Sequence, residues 1–159
     1  MTDLDRTTAA DSVCSITPIL VCENGLKAIE FYKNAFHAVE VRRLVAPNGF
    51  LVHASLSIGN CMLMLAEENR DWENLGPLAL GGSPVTIHLV VKDADATFAQ
   101  AVQAGATVKM PVADVFWGDR YGQIVDPFGH RWSVASPKKN LTTDEIHDAM
   151  LKAMPGINT

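Results

Sequence analysis

The sequence predicts an α+β fold in which two β-α-β-β-β modules form a cupped mixed sheet around a cavity, followed by a C-terminal helix. Three observations predict it. A short apolar run, then apolar residues at helical spacing, then alternating runs, occurs twice along the chain. The two occurrences are in step, because Val21 matches Val90, Asn24 matches Asp93 and Gly59 matches Gly129, an offset of about 70. The tail at 141–154 carries Thr142 and Glu145 at capping-box spacing, with Ile146, Met150 and Met154 every four residues.

Taken in order, residues 1–14 are expected to form a flexible N-terminal segment. "SITPILVC" (15–22) reads as a strand, and "GLKAIEFYKNAF" (25–36) places Leu26, Ile29, Phe31, Tyr32 and Phe36 near helical spacing. "VEVRRLVAP" (39–47), "FLVHASLSIG" (50–59) and "CMLMLAEE" (61–68) supply three more strands around a turn at Gly59-Asn60. A Gly- and Pro-rich stretch then links to "VTIHLVVKD" (85–93) and the helix "ADATFAQAVQAG" (94–105). "ATVKMPVADVFWG", "DRYGQIVD" and "HRWSVAS" complete the second set of strands. The expected organisation is one domain over 15–136, with modules 15–68 and 84–136 joined by a linker at 69–83, and then a helix and tail over 137–159. One module of roughly 55 residues covers only one face of its sheet with its helix, so two are needed to complete a core.

Composition narrows the function classes. The chain has 159 residues and a formal charge of −5, with no run of Lys or Arg longer than Lys138-Lys139. That balance argues against nucleic acid or an anionic membrane as partner and leaves a small molecule as the default. Three cysteines with no CxxC suggest neither a disulfide framework nor a structural zinc, and fit a reducing cytoplasm. No apolar run approaches the roughly 20 residues needed to span a bilayer. Exposed sheet edges and the apolar stripe of the tail helix favour a homodimer.

The segments "ILVCENGLKAIEFYKNAFHA", "IHLVVKDADATFAQAVQAGA" and the "WGDRYG...DPFGH.W" ending together resemble the vicinal oxygen chelate superfamily, which includes glyoxalase I, bleomycin-resistance proteins, fosfomycin-resistance enzymes and extradiol dioxygenases. Within it they look most like the PhnB-like branch, over roughly residues 15–136. The resemblance implies the paired-module fold, on which many activities occur. It also implies where a divalent metal would sit, because the superfamily's metalloenzymes hold one with His, Gln or Glu near the start of the first strand and in the last strand of each module. The matching positions here are Thr17, Leu63, Thr86 and Ser133, none of them a usual ligand. The expectation is no cofactor, with a divalent metal only at a relocated site.

Strand alternation nominates the residues that face the cavity. His88 shares a face with Thr86, and Arg131 with Ser133. In "FLVHASLSIG" the apolar set Val52, Ala54, Leu56 and Ile58 leaves His53, Ser55 and Ser57 opposite. His53, His88 and Glu67 are therefore candidates for acid/base chemistry or a relocated metal site, the plainer reading being hydrogen-bonded histidines lining a pocket. Trp117, Asp119, Arg120 and Tyr121 suggest a ligand clamp in which the carboxylate orients the Arg, the plainer reading being a strand stapled by side-chain pairs. Thr17, Thr86 and Ser133 are expected to contact the ligand, with Phe116, Trp117 and Trp132 as apolar walls. "DPFG" reads as a type I turn with Asp126 structural, His37 as a helix C-cap, and Cys61 as a nucleophile only if a base lies beside it. Three functions follow: a metal-free small-molecule binder; a lyase, isomerase or dioxygenase-type enzyme; and a dimeric protein-interaction module.

Overall fold

The computed structural model describes residues 16–156. The expected flexible segment at 1–14 lies outside the described residues. The elements run β1 (Ile19–Cys22), α1 (Gly25–Phe36), β2 (Val39–Val45), β3 (Leu51–Ile58), β4 (Cys61–Glu67), a 3-10 turn (Arg70–Trp72), α2 (Pro77–Leu80), β5 (Thr86–Val90), α3 (Ala94–Gln103), β6 (Thr107–Asp114), β7 (Asp119–Val125), β8 (Arg131–Pro137) and α4 (Thr143–Ala153). The α+β class, the two β-α-β-β-β modules and the C-terminal helix are all present. The linker contains the short helix α2, because Pro77 suits a first helical turn and Gly81 closes it at positive φ.

The strands form two four-stranded mixed sheets, β1-β4-β3-β2 and β5-β8-β7-β6. In each, the first strand runs parallel to the fourth and the remaining pairs are antiparallel. No ladder joins β1 to β5. Both are edge strands, and a groove lined by residues of each lies between them.

The helices form where caps and burial agree. Asn24 accepts from Lys27 N at 3.0 Å at the start of α1, and Asp93 does the same for Ala96 N at 2.9 Å in α3. His37 ends α1 at φ 53°, giving its N–H to Tyr32 O, the left-handed cap its position suggested. Both helices pack against one face of the sheets and against each other, so α1 (Ile29, Tyr32, Phe36), α3 (Phe98, Ala101) and the sheet residues Leu56, Leu65, Ile124 and Trp132 share one core.

Asp126 ties that core across the modules. Its carboxylate accepts from Tyr32 OH at 2.6 Å, Trp132 Nε1 at 3.0 Å, and the backbone of Phe128 and His130, both at 2.9 Å. Gly129 N bonds Asp126 O at 3.1 Å, so the turn forms as expected. His130 reaches back to the first module, with Nε2 at 2.9 Å from Val21 O. Trp132 is thus a core residue, only 1% exposed, whose edge borders the cleft between the modules.

One expected face is shifted. Leu51 is fully buried while Val52 is 44% exposed, because the β2–β3 register slips between Leu44 and Val45 and turns Val52 outward. At the C-terminus, the capping box of Thr142 and Glu145 is formed, yet α4 buries no residue completely. Among the described residues no helix is long and apolar enough to cross a membrane.

Candidate functional site

The site rests on which side chains share a sheet face. In the ladders, His88 lies beside Ser133 and Ile19 beside Met64, two pairs that are 69 residues apart. Thr17 and Thr86 keep the same spacing. The first-module counterpart of Ser133 is therefore Met64, which corrects Leu63. Matching Gly59 to Gly129 overshoots by one, since the second hairpin turns on Pro127, Phe128 and Gly129 whereas the first turns on Gly59 and Asn60 alone. Leu63 faces the helices, 3% exposed and opposite Leu56.

On the outer face of the second sheet, away from α3, a continuous strip forms. His88 Nδ1 lies 2.8 Å from Ser133 Oγ, and the His88 ring stacks with Tyr121 at 6.2 Å. Tyr121 OH accepts from Gln123 Nε2 at 2.8 Å. Trp117 meets Tyr121 edge-on at 5.2 Å, Phe116 backs Trp117 at 4.9 Å, and Trp117 Nε1 donates to Asp119 Oδ2 at 3.0 Å. Ser133 is buried beneath this layer, while His88 stays exposed. Thr86 and Arg131 are register partners at one end of the same face.

Arg120 is not part of the strip. It alternates to the helix side with Gly122, which abuts Phe98 of α3. Its guanidinium binds Asp95 through two bonds of 2.8 and 2.7 Å and reaches Asp114 at 3.4 Å. The hydrogen bond from Arg120 chiefly holds the Asp95 carboxyl below its ordinary value, and Asp95 in turn raises that of Arg120. The expected pairing of Asp119 with Arg120 does not form, because neighbours along a strand point to opposite faces.

The set His53, His88 and Glu67 is not brought together. His53 lies on the outer face of the first sheet, with Nε2 3.0 Å from Ser55 Oγ. Glu67 shares the inward parity of Leu63 and accepts Leu51 N at 2.7 Å, closing the end of the β3–β4 hairpin. Among the described residues, no three His, Cys, Asp or Glu groups cluster so as to hold a metal ion. Cys61 is exposed and contacts Asn60 Oδ1 at 3.6 Å, with no base beside it. Burial, reinforced by the Asp126 carboxylate, pushes the Cys22 thiol and the Tyr32 phenol above their usual values, so both are neutral core groups.

Beside the strip lies a cleft of about 870 Å³ between the modules, lined by Thr17, Leu63, Ile87, His88, Leu89 and Trp132 among others. His88 borders both features. A cavity between the modules was expected from the sequence; its lining was not, since the cleft draws on the end of α1 and on α3 as well as on strand residues of both modules. Sequence reasoning also did not assign Gln123, although alternation from Tyr121 would have placed it on the same face.

A family model described as the Glyoxalase/Bleomycin resistance protein/Dioxygenase superfamily matches residues 15–134. Over 139 residues the chain is 45% identical to protein Rv0887c of Mycobacterium tuberculosis (strain ATCC 25618 / H37Rv), covering 86% of this chain and 82% of that protein. It is 37% identical over 125 residues to protein At5g48480 of Arabidopsis thaliana, covering 74% of each. The X-ray structure of that plant gene product aligns with a TM-score of 0.64 at 28% identity, covering 78% of this chain and 99% of the other. The fosfomycin resistance protein FosX of Listeria monocytogenes, in complex with Mn(II) and dihydroxypropylphosphonic acid, aligns with a TM-score of 0.62 at 16% identity, covering 89% and 98%. That last likeness bears on fold alone.

Proposed function

This chain belongs to the glyoxalase/bleomycin resistance protein/dioxygenase superfamily, and on that premise we propose that it is a small-molecule-binding protein of the PhnB-like branch, working without the superfamily's metal site. The observation that carries the reading is the strip of Trp117, Tyr121, Gln123, His88 and Ser133 beside an apolar-walled cleft of about 870 Å³. The cleft is large enough for a drug-sized ligand, and His88 is the strip residue that borders it. The positions matching the superfamily's metal ligands are Thr17, Met64, Thr86 and Ser133. Three hydroxyls and a thioether are a poor donor set for a divalent cation, so no step is routed through a metal. The ligand's ring lies against Trp117 and Tyr121, and Ser133, His88, Gln123 and Thr86 orient its polar groups.

A second copy covers the outer faces. Ile19, Val39 and Val90 are each more than half exposed there or at the sheet edges, apolar positions that a second copy buries. The site is accordingly one of a homodimer, and the formal charge of −5 favours neither nucleic acid nor an anionic membrane as partner.

The test combines a thermal-shift screen of aromatic compounds with light scattering and with elemental analysis after loading with Zn²⁺, Ni²⁺, Mn²⁺ and Fe²⁺. Compounds that raise the melting temperature, and raise it less in Tyr121→Ala, support the binder. Stoichiometric metal that disappears in His53→Ala and His88→Ala sinks the metal-free reading, and a monomer at working concentration sinks the dimer. A second reading, a lyase, isomerase or dioxygenase-type enzyme, is favoured by one observation: Ser133 holds His88 at Nδ1 while its ring stays exposed at the cleft. Turnover of a stabilising compound, lost in His88→Asn while binding persists, would establish it.

A further inference from the structure

The five arginines of the described residues fall into two groups. Arg43 binds Glu40, Arg70 reaches Glu68, and Arg120 is saturated by Asp95 and Asp114. Arg42 and Arg131 have no carboxylate within ion-pair distance among the described residues. Arg42 lies on β2 near the sheet edge, next to Ser55 in register. Arg131 lies on the face that carries the strip: it is the register partner of Thr86 and sits two residues before Ser133 on β8. Residues two apart on a strand are separated by roughly 7 Å and neighbouring strands by about 5 Å. An extended arginine therefore covers the Ser133–His88 position from its own. Asp119, the carboxylate of the strip, sits at the opposite end, paired with Pro137 and bound to Trp117 Nε1.

The neighbours of Arg131 in register are Thr86 on β5 and the apolar Val125 on β7, and one step further along the face come the Ser133 hydroxyl, the His88 imidazole and the Gln123 amide, none of them a carboxylate. A guanidinium with no internal carboxylate, flanked by neutral donors, is arranged to accept an oxyanion through paired, charge-assisted bonds. The chain as a whole is repulsive to anions at −5, so any preference for one is local to this group.

We propose that Arg131 is a specificity-determining residue that selects ligands in which a planar ring carries a carboxylate or phosphonate, the ring lying on Tyr121 and the oxyanion on the Arg131 guanidinium. The inference rests on the strip being the ligand site. It adds the ligand's charge class and a residue outside the clamp expected from sequence, whose Arg120 is occupied on the other face.

The experiment is isothermal titration of the full chain with 2-naphthoate and with the isosteric neutral 2-naphthamide, in wild type, Arg131→Gln, Arg131→Lys, Arg120→Gln and Tyr121→Ala. The expected result is that wild type binds the carboxylate about tenfold or more tighter than the amide. Arg131→Gln abolishes that preference while leaving amide affinity unchanged, Arg131→Lys keeps part of it, and Arg120→Gln keeps all of it. Arg131 is exposed, so its loss does not threaten folding. Equal binding of the two probes by wild type, or a preference that survives Arg131→Gln, overturns the inference. If Tyr121→Ala still weakens both probes, the strip stands as a site and only its charge selectivity is lost. Binding of neither probe, or binding indifferent to Tyr121→Ala, removes the site itself and the inference with it.

Discussion

The two modules share one plan and differ on one side. Facing the helices, register equivalents are apolar or small in both: Leu20 and Leu89, Leu56 and Ile124, Leu63 and Trp132, Leu65 and Val134, Ala54 and Gly122. On the outer faces the equivalents part company: Ile19 and His88, His53 and Tyr121, Ser55 and Gln123, Met64 and Ser133. Burial against α1 and α3 admits only residues that fill a shared core, whereas a face turned away from the helices can change without unfolding the module. The strip of rings and hydrogen-bonding groups therefore lies on the second module, and the first contributes Thr17 and Leu63 to the lining of the cleft.

The largest test of this asymmetry lies in the hairpin turns. Asp126→Ala strands four donors, two of them on the buried Tyr32 and Trp132 side chains, and should cost on the order of 3–5 kcal/mol in urea unfolding. Asn60→Ala, in the exposed turn of the first module, should fall within about 0.5 kcal/mol. Similar values for the two would mean that the turns are equivalent after all.

Next comes the register of β4. Leu63→Ala opens a cavity in the core and should cost about 2–5 kcal/mol. Half-buried Met64, on the other face, should cost about 1 kcal/mol or less when cut to Ala. Reversal of that order would restore Leu63 to the outer face. A smaller effect sharpens the helix-side comparison: a Cβ on Gly122 would sit 2.8 Å from Phe98 and 2.9 Å from Val112, so Gly122→Ala should destabilise by about 1–3 kcal/mol, although the first module carries Ala at the equivalent position 54. Unchanged stability would show that α3 has the same clearance above its sheet as α1.

The smallest effect separates the two arginines of the second sheet. Arg120 depresses Asp95 below its ordinary 3.8. A carboxylate with a depressed folded pKa adds stability that is present above the unfolded value and lost as pH falls through the folded one. Melting temperature followed across roughly pH 2 to 6 should therefore show a slightly shallower acid limb in Arg120→Gln, small because both groups are exposed and screened. Arg131→Gln should leave that limb unchanged, having no carboxylate to release. An acid limb altered equally by both substitutions would mean that Arg131 has an internal partner.

Legibility followed the range of the interaction. The helix cap at His37, the turn at Asp126 and the capping box of α4 depend on residues within a few positions of one another, and local spacing predicted them. Alternation likewise placed His53, Ser55, His88 and Ser133 on faces opposite the helices. The misassigned residues failed for reasons local patterns do not carry. Leu63 was displaced by a hairpin one residue longer in the second module, and Val52 by a register slip set by its partner strand. Arg120 was separated from Asp119 by the same alternation that placed His88.

By itself the sequence determined the main strands and helices and their duplication, because these follow from periodicity and short-range hydrogen bonding. Only the tertiary structure decided that β1 and β5 border a groove, that Asp126 clasps Tyr32 of the other module, and that Arg120 is neutralised by Asp95 while Arg131 has no carboxylate partner among the described residues. Those outcomes depend on contacts between residues from 25 to 94 positions apart or more, and distances of that kind are set by how the modules pack, not by the order of residues along either one.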